Sequence, residues 1–152
     1  MSNYDEPPAA VIFDIDGTLA NVDHRRHFVT GKRKDFTAFY EAMVGDTIMP
    51  VTHGLCNSYF MQRWHVTICT GRPEAYREVT ELWLAAHGVW YHELIMRPDD
   101  RRYDPDFEVK QTMLDAILEQ RKVHVVFDDR DQVVEMWRRN GITCFQVAPG
   151  TF

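Results

Sequence analysis

Two aspartates one residue apart, Asp14 and Asp16, close the apolar run in VIFDIDGTLA, residues 11–20. Val11, Ile12 and Phe13 read as the interior of a strand, being β-branched or aromatic. Alternate residues of an extended chain project to the same side, so both carboxylates aim at neighbouring positions. Like charges that close resist joint ionisation. A metal ion, a buried cation or a shared proton has to offset them.

Two further polar clusters stand at the ends of apolar runs. Thr70-Gly71-Arg72 follows HVTIC, and Asp128-Asp129-Arg130 closes VHVVF. A single acid after a strand is commonly a turn or cap residue; three clusters in equivalent positions read as a site. Asp14, Asp16, Asp128 and Asp129 would bring up to four negative charges to one crevice, for which a hard cation such as Mg²⁺ is the natural counterion. No Cys or His stands just past these strand ends, which disfavours zinc. His24 and His27 share helical spacing but lack nearby cysteine ligands, and are not read as a zinc site. The hydroxyl of Thr70 and the amides around Gly17 and Gly71 suit anionic oxygens. Lys110 supplies a fixed cation. An oxyanion so surrounded reads as a phosphoryl group.

The elements that must position these groups follow from periodicity. Apolar runs at 10–14, 65–70, 91–96, 123–128 and 142–147 read as five strands. Between them, 74–87, 106–120 and 131–140 carry apolar stripes at helical spacing, with Gly141 as a stop. Trp83 and Trp137 fall on those stripes and read as packing. Alternating strands and helices predict an α/β fold with a mostly parallel five-stranded sheet covered on both faces. Ligands of such sheets bind at the carboxyl ends of strands, where the three clusters lie. Residues 20–63 break the rhythm with a short helix in DFTAFYEAM and another around 51–63. They read as a small cap inserted after the first strand, within one domain spanning 1–152.

The 152 residues are 45% hydrophobic and 26% charged, in the range of a soluble globular domain. No membrane span or signal peptide is evident, so a cytoplasmic location is expected. Cys56, Cys69 and Cys144 form no CxxC pair and read as reduced, buried thiols. A net charge of −6 argues against coating long nucleic acid. Locally, however, HRRHFVTGKRK at 24–34 contains Arg25, Arg26, Lys32, Arg33 and Lys34 and no acid. That strip is either a solvated loop or a landing strip for a phosphate-bearing substrate.

DIDGT at 14–18, TGR at 70–72, Lys110 and the DD pair at 128–129 together resemble the haloacid dehalogenase (HAD) superfamily of phosphohydrolases. The C-terminal FDDRDQVVEMWRRNGITCFQVAPGTF, with DFEVK at 106–110, is similar to the 3′-phosphatase domain of phage polynucleotide kinases. The resemblance is weakest over 20–63 and 97–105. It implies a HAD-like Rossmannoid three-layer fold. It also implies Asp14 as nucleophile, forming an aspartyl-phosphate, and Asp16 as general acid and then base. Mg²⁺ would be held by Asp14, the carbonyl of Asp16 and the Asp128/Asp129 pair. Asp128 is favoured as the direct ligand, in an order the sequence leaves open. Lys110 would spread the charge of the transferring group, while Thr70, Gly71, Gly17 and Thr18 cradle its oxygens. Arg72, Arg130, Arg25 and Arg26 are expected to meet the substrate; Arg130 could instead hold the acidic pair in place. No GxxxxGKS or GxxxxGKT occurs, and Gly31-Lys32 is not one, so kinase activity is not expected.

Three functions remain in play. The first is a 3′-phosphatase acting on DNA or RNA ends or nucleoside 3′-phosphates, with a separate kinase or ligase as partner. The second is a 5′(3′)-nucleotidase for free mononucleotides, which also fits DxDGT and DDR. The third, a non-catalytic binding module, ranks below both because the full acidic set and Lys110 are present. Phe39 and Tyr40 in the cap are candidates to stack a base.

Overall fold

The computed structural model describes residues 6–151. Its centre is a five-stranded sheet in the order β5-β4-β1-β6-β7. The strands are β1 (Ala10–Phe13), β4 (His65–Pro73), β5 (Glu93–Arg97), β6 (Val123–Asp128) and β7 (Cys144–Gln146). All neighbours pair in parallel. Every apolar run expected as a strand is one, and β4 continues three residues further, to Pro73.

Strand β1 lies in the middle and is buried on both faces. Val11 and Phe13 pack into one core with Val66, Ile68, Trp83 and Phe127, where Phe13 stacks on Phe127 with centroids 4.6 Å apart. Ala10 and Ile12 face a second core built on Val109, Leu114, Val133 and Trp137. Helices α2 (Pro50–Met61) and α3 (Arg77–Ala86) cover the first face; α4 (Asp106–Leu118) and α5 (Asp131–Arg139) cover the second. Helix α2 starts with proline at its first turn, where no amide partner is lost. Helix α4 opens with Asp106 and Glu108, and α5 ends with Arg138 and Arg139, each matching its helix dipole. All three cysteines are free and buried. No described helix is long and apolar enough to cross a membrane.

The stretch 20–63, expected as a cap, divides. Its second helix, α2, buries Cys56 in the first core and is the crossover between β1 and β4. The remainder is the earlier part, which still places Ala20 and Val22 in the first core. It comprises a two-strand ribbon of β2 (Ala20–Asn21) and β3 (Thr47–Ile48), a 3₁₀ turn at Asp23–Phe28 and α1 (Phe36–Glu41), whose first turn is capped by the Asp35 carboxylate. The chain builds β4 and β5 on one side of β1, then crosses to β6 and β7 on the other. The carboxyl ends of β1 and β6 therefore flank the point where strand order reverses, the crevice in which such sheets hold ligands.

Candidate active site

Lys110 ties these strand ends together. It rises from the second turn of α4 and is almost fully buried. Its ammonium donates to Asp14 Oδ1, past the end of β1, and to Asp128 Oδ2, at the end of β6, both at 2.8 Å. Burial disfavours its charge, but Asp128 and Asp14 more than reverse that and hold it protonated. Asp14 responds oppositely. Burial, reinforced by Asp128 and Asp129, raises its pKa well above the usual carboxylate range against the pull of Lys110. An ionised Asp14 thus needs more positive charge than Lys110 alone supplies.

Asp16 sits in different surroundings. Arg25 donates to its Oδ1 at 2.8 Å, and Arg72 donates to the same oxygen through Nε at 2.9 Å and an Nη at 2.6 Å. Burial would raise its pKa, yet Arg72 and Arg25 together leave it below the ordinary value. Both arginines also hold Asp46 Oδ2, at 2.6 and 2.9 Å. Arg25 stacks on Phe39 at 4.1 Å, and Arg72 lies 5.7 Å from the Trp83 ring centroid. Here the structure corrects two expectations. Arg25 is neither a solvated base nor a landing strip, and neither it nor Arg72, both expected to meet the substrate, is among the residues that line the cleft. Both are fully buried and committed to Asp16 and Asp46. Asp46 is a site residue that sequence reasoning missed.

Asp14, Asp128 and Asp129 bring carboxylate oxygens within 4.8 Å of one another. An all-carboxylate set suits a hard divalent cation such as Mg²⁺. Both oxygens of Asp128 are engaged: Oδ1 accepts the amides of Asp129 and Arg130, and Oδ2 accepts Lys110 and the indole N–H of Trp137 at 3.1 Å. Asp129 Oδ2, by contrast, is buried with no hydrogen-bond partner. The orphaned oxygen thus falls on Asp129, whereas the sequence favours Asp128 as the direct ligand. Burial, with Asp128 beside it, pushes Asp129 up to about 7. Gly17, at φ +85°, makes room for it, because a Cβ there would strike the Asp129 carboxylate. Trp137, read as packing, is both a core residue and the brace of Asp128.

A cleft of about 300 Å³ opens over these groups. Asp14, Asp16, Gly71, Asp128, Asp129 and Arg130 line it. Thr18, Thr70 and Lys110 are buried and do not. Thr70 Oγ1 accepts the Arg72 amide at 3.2 Å, and Thr18 Oγ1 has no partner. Arg26 is half-buried, with Nε 3.6 Å from Asp23, and is not part of the lining. Arg130 stands 3.8 Å from Asp106. Asp106 in turn pairs with Arg97 at 2.9 Å, a second buried arginine hub without a sequence signal. Phe39 and Tyr40 line the cleft too, although Tyr40 is half-buried against Tyr76 at 5.1 Å.

Residues 8–152 match the family model described as the polynucleotide kinase PNKP phosphatase domain. A chain in the solved Pnkp1/Rnl/Hen1 RNA repair complex is 33% identical, with a TM-score of 0.82 over 97% of this chain and 46% of that one. A second Pnkp1/Rnl/Hen1 structure gives 32% and 0.79 over 97% and 49%. This chain therefore spans about half the length of those it matches. At 10% identity, a HAD family enzyme from Bacteroides thetaiotaomicron, in complex with magnesium and inorganic phosphate, shares the fold with a TM-score of 0.58 over 92% of this chain and 94% of that one. The architecture is HAD-like, and the matched segment carries no kinase portion. By its fold and by a family match that runs from residue 8 to residue 152, this chain belongs to the polynucleotide kinase PNKP phosphatase domain family, a HAD-type phosphatase.

Proposed function

We propose that the protein is a Mg²⁺-dependent phosphomonoesterase that removes the 3′-phosphate from polynucleotide ends. The observation that carries the reading is Lys110 bridging Asp14 and Asp128 beside the orphaned Asp129 oxygen, in a member of this family. Asp14 is the nucleophile. Its carboxylate oxygen bonds to phosphorus while the ester P–O bond breaks, and the leaving oxygen takes a proton from Asp16. Water then attacks the aspartyl-phosphate, Asp16 takes back a proton, and Asp14 is regenerated as inorganic phosphate departs.

The two arginines give Asp16 its geometry for this work. Their hydrogen bonds all land on Oδ1, so Oδ2 is the oxygen that carries the proton. In the resting site they favour the ionised form, which suits the second step. The negative charge of a bound phosphate monoester favours the protonated form, which the first step needs. Lys110 spreads charge from the transferring group, and the Gly71 segment meets its oxygens. Asp14 and Asp129, with the Asp16 carbonyl, would hold Mg²⁺, and Asp128 would support Asp129. The metal supplies Lewis-acid stabilisation of phosphoryl charge when bound. Because the matched chains come from an assembly named as an RNA repair complex, the proposal includes an end-repair setting with a separate kinase or ligase.

Phosphate release tests this. The substrates are one oligonucleotide phosphorylated at its 3′ end, the same one at its 5′ end, and free 3′- and 5′-mononucleotides, each with Mg²⁺ and with EDTA. Mg²⁺-dependent release from 3′ ends, abolished in Asp14→Asn, is expected. Release from mononucleotides alone would make the protein a nucleotidase, and release from nothing would leave a binding module.

A further inference from the structure

The connection from β5 to α4 carries an aromatic ring that the chemistry above does not use. Tyr103 is 89% exposed, yet it lines the same cleft as Asp14, Asp16 and Asp129. Single exposed aromatic residues are ordinary on a protein surface. This one stands on an anchored loop. Arg97 donates to the carbonyls of Arg101 and Asp104 on either side, at 3.0 and 2.8 Å. Arg101 donates to Asp104 Oδ2 at 2.7 Å and to Thr112 Oγ1 at 2.9 Å. Arg97 also donates to the Gly71 carbonyl at 2.9 Å. One guanidinium thus fixes the Tyr103 loop to the segment that meets the phosphoryl group.

A second exposed ring, Phe36, reaches the cleft from the inserted segment, beside the less exposed Phe39 and Tyr40. Phe36 is 44% exposed and is backed by Tyr40, with centroids 6.5 Å apart. Lys34 and Arg102, both exposed, line the same cleft. Exposed aromatic rings and cations lining one cleft are what a nucleotide chain needs. Bases stack on the rings whatever their identity, and the cations meet phosphodiesters.

We infer that Tyr103 and Phe36 form a nucleobase subsite for the nucleotide that bears the scissile phosphate, with Lys34 and Arg102 meeting the adjoining phosphodiester. The inference rests on the proposed 3′-phosphatase reading and names the feature by which a polynucleotide end is told from a small phosphate ester. Recognition is sequence-tolerant but needs a base at the terminus.

The test compares three substrates: a 3′-phosphorylated oligonucleotide, the same oligonucleotide with an abasic terminal residue bearing the phosphate, and glycerol 2-phosphate. Wild-type protein should lose about tenfold in kcat/KM when the terminal base is removed, chiefly through KM, as loss of one stacked base implies. Tyr103→Ala should show that loss on the normal end and none further on the abasic end or on glycerol 2-phosphate. Tyr103→Phe should restore wild-type behaviour, and Phe36→Ala should follow Tyr103→Ala. Equal losses on normal and abasic ends, or no loss on either, would overturn the subsite while leaving the phosphatase reading standing. Absence of wild-type release from any 3′-phosphorylated oligonucleotide would overturn both.

Discussion

Asp16 and Asp46 are held by the same two arginines: Arg25 and Arg72 each donate to Asp16 Oδ1 and to Asp46 Oδ2. Asp46 belongs to the inserted segment and Asp16 to the loop after β1, so the pair joins the insertion to the floor of the cleft. Asp46 is nearly fully buried, and its backbone carbonyl accepts the Trp83 indole at 3.0 Å.

Removing the Asp46 carboxylate leaves two buried guanidinium groups sharing one acid. Asp46→Ala should therefore cost about 3–5 kcal/mol in urea unfolding, the scale of a broken buried pair. Asp46→Asn keeps the shape and should cost less. Measured per folded molecule, phosphate release by Asp46→Asn should fall about tenfold, because Asp16 loses its fixed orientation. Wild-type turnover in a folded Asn variant would show that Asp46 serves stability alone.

Trp137 braces Asp128 through one N–H. Trp137→Phe keeps most of the ring in the core and removes the donor. The Asp128 carboxylate loses a charge-assisted bond in a buried place, at a cost of about 2 kcal/mol. Calorimetric titration should show Mg²⁺ binding weakened about tenfold, as expected when Asp128, the carboxylate that supports Asp129, loses its own brace. A change in stability with unaltered Mg²⁺ affinity would confine Trp137 to packing.

The sheet was legible in the sequence because apolar runs and helical stripes depend on local spacing, which the core of an α/β fold enforces. The acidic set was legible because all its members stand at strand ends. Arg25 was not. It lies in a basic run, and its burial depends on Asp16 and on Asp46, remote in the chain and outside any motif. Trp137 shows the matching gap: period 3.6 tells which face of α5 points inward, not what the polar tip of a side chain touches. Helix α2 carries little sign in sequence of its place on the sheet, since only Thr52 and Cys56 of its residues are buried, too few to draw an apolar stripe. Its place is set by the path from β1 to β4.

Gly17 combines a left-handed backbone with close approach to Asp129. Gly17→Ala should cost about 1–2 kcal/mol from the backbone alone, and its Cβ should displace the orphaned carboxylate oxygen. Mg²⁺ is expected to raise the melting temperature of wild-type protein and to have little effect on the variant. An undiminished Mg²⁺ shift in Gly17→Ala would move the ligand role from Asp129 back to Asp128.

Asp129 sets a pH dependence of definite sign. In the metal-free protein, burial first and Asp128 second push it up to about 7 from an ordinary 3.8. The folded chain thus binds this proton more tightly than the unfolded chain does. Its contribution to stability is complete below the ordinary value and is lost as pH rises through 7. Metal-free protein should accordingly lose stability from this group as pH rises from about 4 to about 7, with little further loss above. A cation must displace the same proton, so Mg²⁺ binding should release protons and weaken below pH 7, by about tenfold per pH unit for each carboxylate that has to ionise. The melting-temperature rise with Mg²⁺ should then be larger at pH 8 than at pH 6. Titrations in buffers of different ionisation enthalpy measure the released proton directly. Binding without proton release at pH 6 would mean that the cation does not engage a protonated Asp129, and the orphaned oxygen would need another partner.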